Sequence, residues 1–167
     1  SIASTFTESL TKAIRSLEIG KTGIRNIDNR FISLDKHQLQ EEISVPRPRR
    51  IFAIFEAIRR NWPIEDIAEL SKIDIWFLRE IEKSFNVNPE STPTTILKML
   101  GWTDEDLDNK DSKKELENNR VYKLVDTCSA EFVSKTPYLY STNGTSDDDT
   151  ASKQKKVVVI GSGPNRI

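Results

Sequence analysis

Residues 73–85 have the sequence IDIWFLREIEKSF, which is the pattern of a capped amphipathic helix. Asp74 is placed to cap that helix, and Ile73 and Leu78 have the spacing of a hydrophobic staple around the cap. Further apolar residues follow at helical intervals. The residues of this segment that we predict to lie in the packed core are Trp76, Phe77, Leu78 and Ile81.

Similar helical patterns occur on both sides of this segment. Thr5 and Glu8 have capping-box spacing at the start of a first helix that should end before Gly20. Short helices are also predicted within residues 33–42, 51–61, 63–70 and 92–100, with another starting at Thr103. Residues 112–120 are charged, so a helix formed there would lie on the surface. The sequence therefore predicts an all-α fold, an irregular bundle of short helices, with Leu10, Leu17 and Phe55 as further packing residues.

Two short segments of this helical region echo each other. Residues 62–67 read WPIEDI and residues 102–107 read WTDEDL, so an aromatic, an acidic pair and an aliphatic residue recur about forty residues apart. The echo indicates either two helix-turn-helix-like repeats or a chance match in acidic helical sequence.

The C-terminal quarter has a different composition. Residues 143–156 are polar and acidic, which predicts a flexible linker. Residues 157–160, VVVI, have the pattern of a strand buried on both faces, and Gly161 and Gly163 then resemble the opening of a phosphate-binding loop, without the rest of that motif. We therefore predict a helical domain over 1–142, a linker over 143–156, and the first strand of an α/β domain over 157–167.

Composition argues against several classes of function. The formal net charge of −1 provides no bulk attraction for nucleic acid or for an anionic membrane. The single cysteine, Cys128, and the single histidine, His37, leave no disulfide framework and no metal-binding cluster. Because Ser1 is no initiator and the strand pattern at the end normally continues, we expect an excised piece of a longer, soluble, intracellular protein, with no catalytic, cofactor-binding or metal site of its own.

Three features of the sequence suggest a specific function, and each also has a simpler structural interpretation. Residues 67–83 resemble a DNA-binding helix-turn-helix, but six acidic residues face three basic ones over 65–83, so helix packing is favoured and a DNA-binding module is the alternative. The arginines of 47–60 form either a solvated face or a surface for an acidic protein. Asp126 and Thr127 precede Cys128, but the only histidine is remote in sequence, so we predict a buried cysteine with a capping Asp or Thr.

Residues 125–132, VDTCSAEF, and 136–142, TPYLYST, resemble the segment that precedes the second synthetase half in the large subunit of carbamoyl-phosphate synthetase. Four other blocks resemble the family in the same order: ESLTKAIRSLEIG at 8–20, RIFA at 50–53, IDIWFL at 73–78 and GSGPNRI at 161–167. The chain departs from the family pattern at Ala3-Ser4, Ile75 and Ser129, and it is shorter between 107 and 121.

The resemblance implies that residues 1–142 are the oligomerisation domain and that residue 157 begins the second pre-ATP-grasp domain. It implies a non-catalytic connecting role in a glutamine-hydrolysing carbamoyl-phosphate synthase, whose ATP and divalent metal bind outside this chain. The implied partners are the two synthetase halves, other large subunits and, indirectly, a glutaminase, with no nucleic acid and no membrane. The resemblance leaves open arginine or pyrimidine biosynthesis, and a cytoplasmic, mitochondrial or plastid location.

Overall fold

The computed structural model of the chain describes residues 1–107, 120–150 and 152–161. These residues form mainly helices, which confirms the predicted fold class. The helices are α1 Phe6–Ser16, α2 Asn29–Ile32, α3 Lys36–Ser44, α4 Arg50–Arg59, α5 Ile64–Ser71, α6 Ile75–Asn86 and α7 Thr94–Met99, and the strands are β1 Arg120–Leu124 and β2 Leu139–Asn143. Most of the charged segment 112–120, and Gly163, lie outside the described residues.

Side-chain caps begin α1, α2, α3 and α6, and those of α1 and α6 are the caps that the sequence predicts. The Thr5 hydroxyl accepts the Glu8 N–H at 3.2 Å, and Asp74 Oδ1 accepts the Trp76 N–H at 2.8 Å. Before α3, Asp35 and Gln38 form a reciprocal capping box. These bonds satisfy N–H groups that have no partner within the first turn, so each cap determines where its helix starts.

Helix α4 lies at the centre of the fold and packs against α2, α3, α5 and α6. Its apolar residues are buried around most of the helix circumference, as is typical of a central helix. Phe55 belongs to this set, and Leu78 and Ile81 of α6 join it; the three are at most 3 % exposed.

One carboxylate is buried within this core. Glu56 of α4 is 1 % exposed and accepts hydrogen bonds from Arg59 at 2.6 and 2.8 Å and from Arg60 at 2.7 Å. Arg60 also donates to the carbonyls of Phe31 and Leu34, at 2.9 and 2.8 Å. Burial alone would raise the pKa of Glu56, but the hydrogen bonds and charges of the two arginines hold it below its ordinary value. Through Arg60, Glu56 of α4 is therefore connected to α2 and to the loop that follows α2.

Helix α1 buries a different face from the predicted one. Its buried residues are Thr7, Glu8, Thr11 and Ile14. Leu10 is only half-buried, and the assignment of Leu17 to the core is wrong because its side chain is 59 % exposed. Two hydrogen bonds orient the helix in this way. Thr7 Oγ1 donates to the Met99 carbonyl and Thr11 Oγ1 donates to the Gly101 carbonyl, both at 2.8 Å. The threonine face of α1 thus satisfies carbonyls at the end of α7.

The two echoing segments begin with the same helix stop. The backbone N–H of Trp62 donates to the Ala57 carbonyl, and the backbone N–H of Trp102 donates to the Leu97 carbonyl. The residue before each tryptophan has a positive φ, 57° at Asn61 and 87° at Gly101. Both are Schellman motifs, offset by the forty residues of the sequence echo. After the first stop the chain forms α5, whereas after the second the described residues form only a turn closed between Thr103 and Asp106.

The C-terminal region contains a β-hairpin that the sequence patterns did not predict. Strands β1 and β2 pair antiparallel with Val121 opposite Thr142. The loop between them is long, so the short-turn signal that identifies most hairpins is missing. Beyond the hairpin, Asp147 Oδ1 accepts the Tyr122 N–H at 2.7 Å and Asp148 Oδ2 the Leu124 N–H at 3.0 Å, so this part of the predicted linker contacts β1.

The strand predicted at 157–160 is not formed. These residues are 81–95 % exposed, and no strand of the described chain pairs with them. A buried parallel strand needs neighbouring strands to satisfy its backbone, and the pattern of four β-branched residues cannot supply them. The domain boundaries at 142 and 156 stay predictions.

The first prediction concerns the core face of α6. Leu78→Ala should cost about 2–5 kcal/mol of unfolding free energy, because a fully buried leucine leaves a cavity. The thermal midpoint should fall by roughly 5–20 °C for a chain of this size. Thermal unfolding followed by circular dichroism measures this, with the half-exposed Glu82→Ala on the same helix as the control. Equal midpoints for the two variants would contradict the packing.

The second prediction concerns pH. Because the folded-state pKa of Glu56 is lowered, the stability it contributes is present above the ordinary glutamate pKa of about 4.3 and is lost as pH falls through the lower folded value. Glu56→Gln should therefore destabilise the chain at neutral pH by about 1–3 kcal/mol, because it weakens charge-assisted hydrogen bonds to two arginines that keep some contact with solvent.

The same variant should also flatten the loss of stability with acid. Urea unfolding at a series of pH values between neutrality and acid tests both effects. The exposed Glu90→Gln removes the same charge and should leave the acid slope unchanged. A Glu56→Gln chain with the wild-type slope would show that this carboxylate does not control acid stability.

Candidate interaction surface

Three aromatic side chains meet where α1 crosses the start of α6. The Phe6 ring lies 5.7 Å from that of Trp76 and 5.2 Å from that of Phe77, and Trp76 and Phe77 pack edge to face at 5.0 Å. We call these three residues the aromatic patch. Trp76 is 53 % exposed and Phe77 is 42 % exposed, so the patch lies on the surface of the helical body.

The prediction that Trp76 and Phe77 lie in the core is wrong, and helix geometry explains why. Successive residues of an α-helix are about 100° apart around its axis. Leu78 and Ile81 are three residues apart and face the core together, which turns the two preceding residues away from it. A local sequence pattern identifies the cap and the apolar stripe of α6. It does not show that the first turn of α6 extends beyond the helices that form the core.

The apolar residues of α1 extend this surface. Phe6, Leu10 and Leu17 are separated by four and seven residues, so they lie along one side of the helix. Phe6 and Leu10 are half-buried, whereas Leu17 is exposed. Ile2, which comes before α1, is exposed as well. Exposed apolar surface of this kind marks interaction sites, and tryptophan is among the residues most often found at their centres.

The helix-turn-helix look-alike shows no basic face. Of its three basic residues, Arg79 pairs with Glu65 at 3.2 Å and Lys83 pairs with Glu80. Lys72 ends α5 in the left-handed conformation. The start of α6, where a DNA-reading helix would place polar side chains, carries two exposed aromatic rings instead.

The arginine cluster of residues 47–60 finds its acidic partners within the chain. Arg47 pairs with Glu42 at 2.6 Å, and Arg49 with Asp28 at 2.9 Å. Arg50 donates to the Ser71 carbonyl, and the remaining two arginines bind Glu56. These arginines therefore hold the helices together, a use that neither sequence interpretation considered.

The other singled-out residues form no reaction centre among the described residues. Asp126 caps the loop at Cys128 by accepting its N–H at 2.8 Å, but the thiol is half-buried, so the prediction of a buried cysteine is wrong. The reason is that residues 126–132 form a loop outside the described helices and strands, and most of its residues are exposed. Gly161 is exposed. No group of three His, Cys, Asp or Glu in the described part of the chain could hold a metal, and no described helix is long and apolar enough to cross a membrane.

An exposed aromatic patch on a packed helical body is typical of a protein-interaction surface. Comparison with known proteins gives this helical body a family. Residues 1–131 match the family described as the oligomerisation domain of the carbamoyl-phosphate synthetase large chain, and the chain belongs to this family.

Relatives from distant organisms carry the same segment. The carbamoyl phosphate synthase large chains of Thermotoga neapolitana and Archaeoglobus fulgidus are 38 % and 36 % identical over 99 % of this chain. The arginine-specific chloroplastic large chain of Arabidopsis thaliana is 35 % identical over 98 % of it. The chain spans only 15–18 % of the length of these three relatives.

The third prediction tests the exposure of the patch through the three tryptophans. Acrylamide should quench Trp76 most strongly, because that indole is half in solvent, whereas Trp102 is buried. Trp76→Phe should therefore remove the readily quenched part of the fluorescence, and Trp102→Phe should remove the protected part. Stern–Volmer plots of the two single variants measure the difference. The opposite order would place Trp76 in the interior.

Proposed function

We propose that this chain is the non-catalytic oligomerisation and connecting domain of a glutamine-hydrolysing carbamoyl-phosphate synthase large chain. The parent enzyme would make carbamoyl phosphate from bicarbonate, glutamine-derived ammonia and ATP, with ATP and a divalent metal bound in domains outside this chain. The family match supports the parent, and the aromatic patch is the observation that supports the role in association.

A connecting role is supported by contacts between the first helix and the C-terminal hairpin. Thr142 of β2 donates to the Glu8 carboxylate at 2.6 Å and shares a hydrogen bond with Ser4 at 2.8 Å. Lys12 donates to the Ser141 carbonyl at 2.6 Å. A segment joined to the start of α1 and a segment joined to the end of β2 would therefore be held at a fixed separation, as two synthetase halves kept in register require.

The non-catalytic part of the proposal rests on the surroundings of the reactive side chains. The Cys128 thiol has the Thr127 hydroxyl as its polar neighbour, at 3.8 Å, and His37 is exposed on α3. A thiol becomes a nucleophile when a base or a positive environment stabilises the thiolate. Among the described residues, no basic side chain forms a hydrogen bond with the Cys128 thiol.

For association, we propose a second large chain as the partner of the aromatic patch. Burying an indole and a phenyl ring on each subunit would supply the hydrophobic centre that stable interfaces contain. The patch also argues for a protein partner over the DNA-binding alternative, because apolar rings beside acidic residues do not complement a phosphate backbone.

The fourth prediction is that Trp76→Ala combined with Phe77→Ala weakens self-association of the chain at least tenfold and leaves the helical circular dichroism unchanged. The reason is that both rings are exposed and contribute little to the core. Sedimentation velocity over a range of concentrations measures the association constant.

Phe132→Ala is the matched control, because it removes an exposed aromatic ring from the hairpin loop, and it should leave association unchanged. A wild-type chain that is monomeric at every concentration, or a patch variant that associates as strongly as wild type, would contradict the proposed role of the patch.

A further inference from the structure

A polar cleft lies on another part of the surface, between α1, the end of α7 and β2. Its volume is about 320 Å³. Thr11, Trp102 and Thr142 belong to its walls, and four basic side chains line it: Lys12, Arg15, Lys98 and Arg120. These come from three separate places in the sequence, α1, the end of α7 and the start of β1, so no single motif signals the site.

The positive charges in this cleft exceed the negative ones. Lys12 pairs with Glu8 at 3.4 Å, and Lys98 pairs with Asp104 at 2.8 Å. The guanidinium groups of Arg15 and Arg120 have no ion-pair or hydrogen-bond partner among residues 1–107, 120–150 and 152–161. The described residues of the lining therefore carry an excess of two positive charges, both on side chains that present several N–H donors.

Asp104 shows where the charges converge. The hydrogen bond from Lys98 lowers the pKa of Asp104, and the charges of Arg120 and Arg15 lower it further. A lysine and two arginines from three elements thus act on one carboxylate. The Asp104 side chain is 65 % exposed, so it lies at the mouth of the cleft. There it can rotate into solvent and leave Lys98 and the two arginines to a bound anion.

The fold fixes the Lys98 side chain and the backbone positions of Arg15 and Arg120 before any ligand arrives, while the two arginine side chains are exposed. The Lys98 side chain is only 11 % exposed, so its ammonium group is fixed by packing and by Asp104. Arg15 lies in the last turn of α1, whose position against α7 is determined by the threonine bonds to Met99 and Gly101. Arg120 begins β1, which is paired to the strand that Glu8 and Lys12 contact.

We propose that this cleft binds a small, multiply charged oxyanion of the phosphate class, with Arg15 and Arg120 as its principal donors and Lys98 as a third positive group shared with Asp104. Guanidinium groups form paired, charge-assisted hydrogen bonds to phosphate oxygens, and two such groups balance a dianion. The site does not depend on the proposed role in carbamoyl phosphate synthesis, and it lies on different residues from the aromatic patch.

Titration of the full chain with inorganic phosphate or sulfate tests the proposal. Both should give saturable binding by isothermal calorimetry and a change in Trp102 fluorescence, and sodium chloride at equal ionic strength should give neither. Arg15→Gln and Arg120→Gln should each weaken binding about tenfold or more, the usual effect of losing a hydrogen bond to a charged group. Asp104→Asn should strengthen it several-fold, because it removes the competing carboxylate.

Matched controls use the surface ion pair of Arg79 and Glu65, which lies outside the cleft lining. Arg79→Gln and Glu65→Gln change the net charge by the same amounts and should leave phosphate binding unchanged. Circular dichroism confirms that each variant is folded. Absence of saturable binding to the wild-type chain, or equal effects of the cleft and control variants, would overturn the proposal.

Discussion

The structure depends on a carboxylate that is buried and kept charged. Glu56 lies in the most enclosed helix, where an ionised group is tolerated only if its charge and lone pairs are satisfied. Arg59 and Arg60 satisfy them, and Arg60 then reaches the carbonyls that end α2. One polar network thus determines how the central helix meets the preceding segment, and the apolar residues of α4 can pack on its other sides.

A second polar contact decides what the surface looks like. Threonines of α1 bind carbonyls at the end of α7, so the buried face of α1 is partly polar. Its apolar residues are consequently displaced toward α6 and solvent, where Phe6 meets Trp76 and Phe77. The aromatic patch is therefore a consequence of how α1 docks: Phe6 packs against the edge of the hydrophobic core, whereas Trp76 and Phe77 lie outside it.

The same docking also forms the cleft. By fixing α1 against α7 and β2, it brings Arg15, Lys98 and Arg120 to one place although they are far apart in sequence. Two surfaces of different chemistry result from one arrangement of helices: an apolar one suited to another protein chain, and a basic one suited to a small anion. The two surfaces share no residue.

The sequence by itself determined the family, most of the helices and the caps of α1 and α6, whereas the short α2 carries no pattern that predicts it. Caps at Thr5 and Asp74 and the stripe through Leu78 and Ile81 depend on residues three to four positions apart, so local patterns identify them. The family blocks are likewise contiguous stretches. The Schellman stops at Asn61 and Gly101 follow the same rule, because each involves only one turn of helix.

Only the tertiary structure decided which faces are buried. Helical periodicity shows that a helix has an apolar side, but the exposure of Trp76 and Leu17 depends on how far the neighbouring helices extend. The hairpin and the cleft depend on contacts such as that between Glu8 and Thr142, which are 134 residues apart. Such contacts form because the folded chain brings their partners together, and no periodic pattern in the sequence records them.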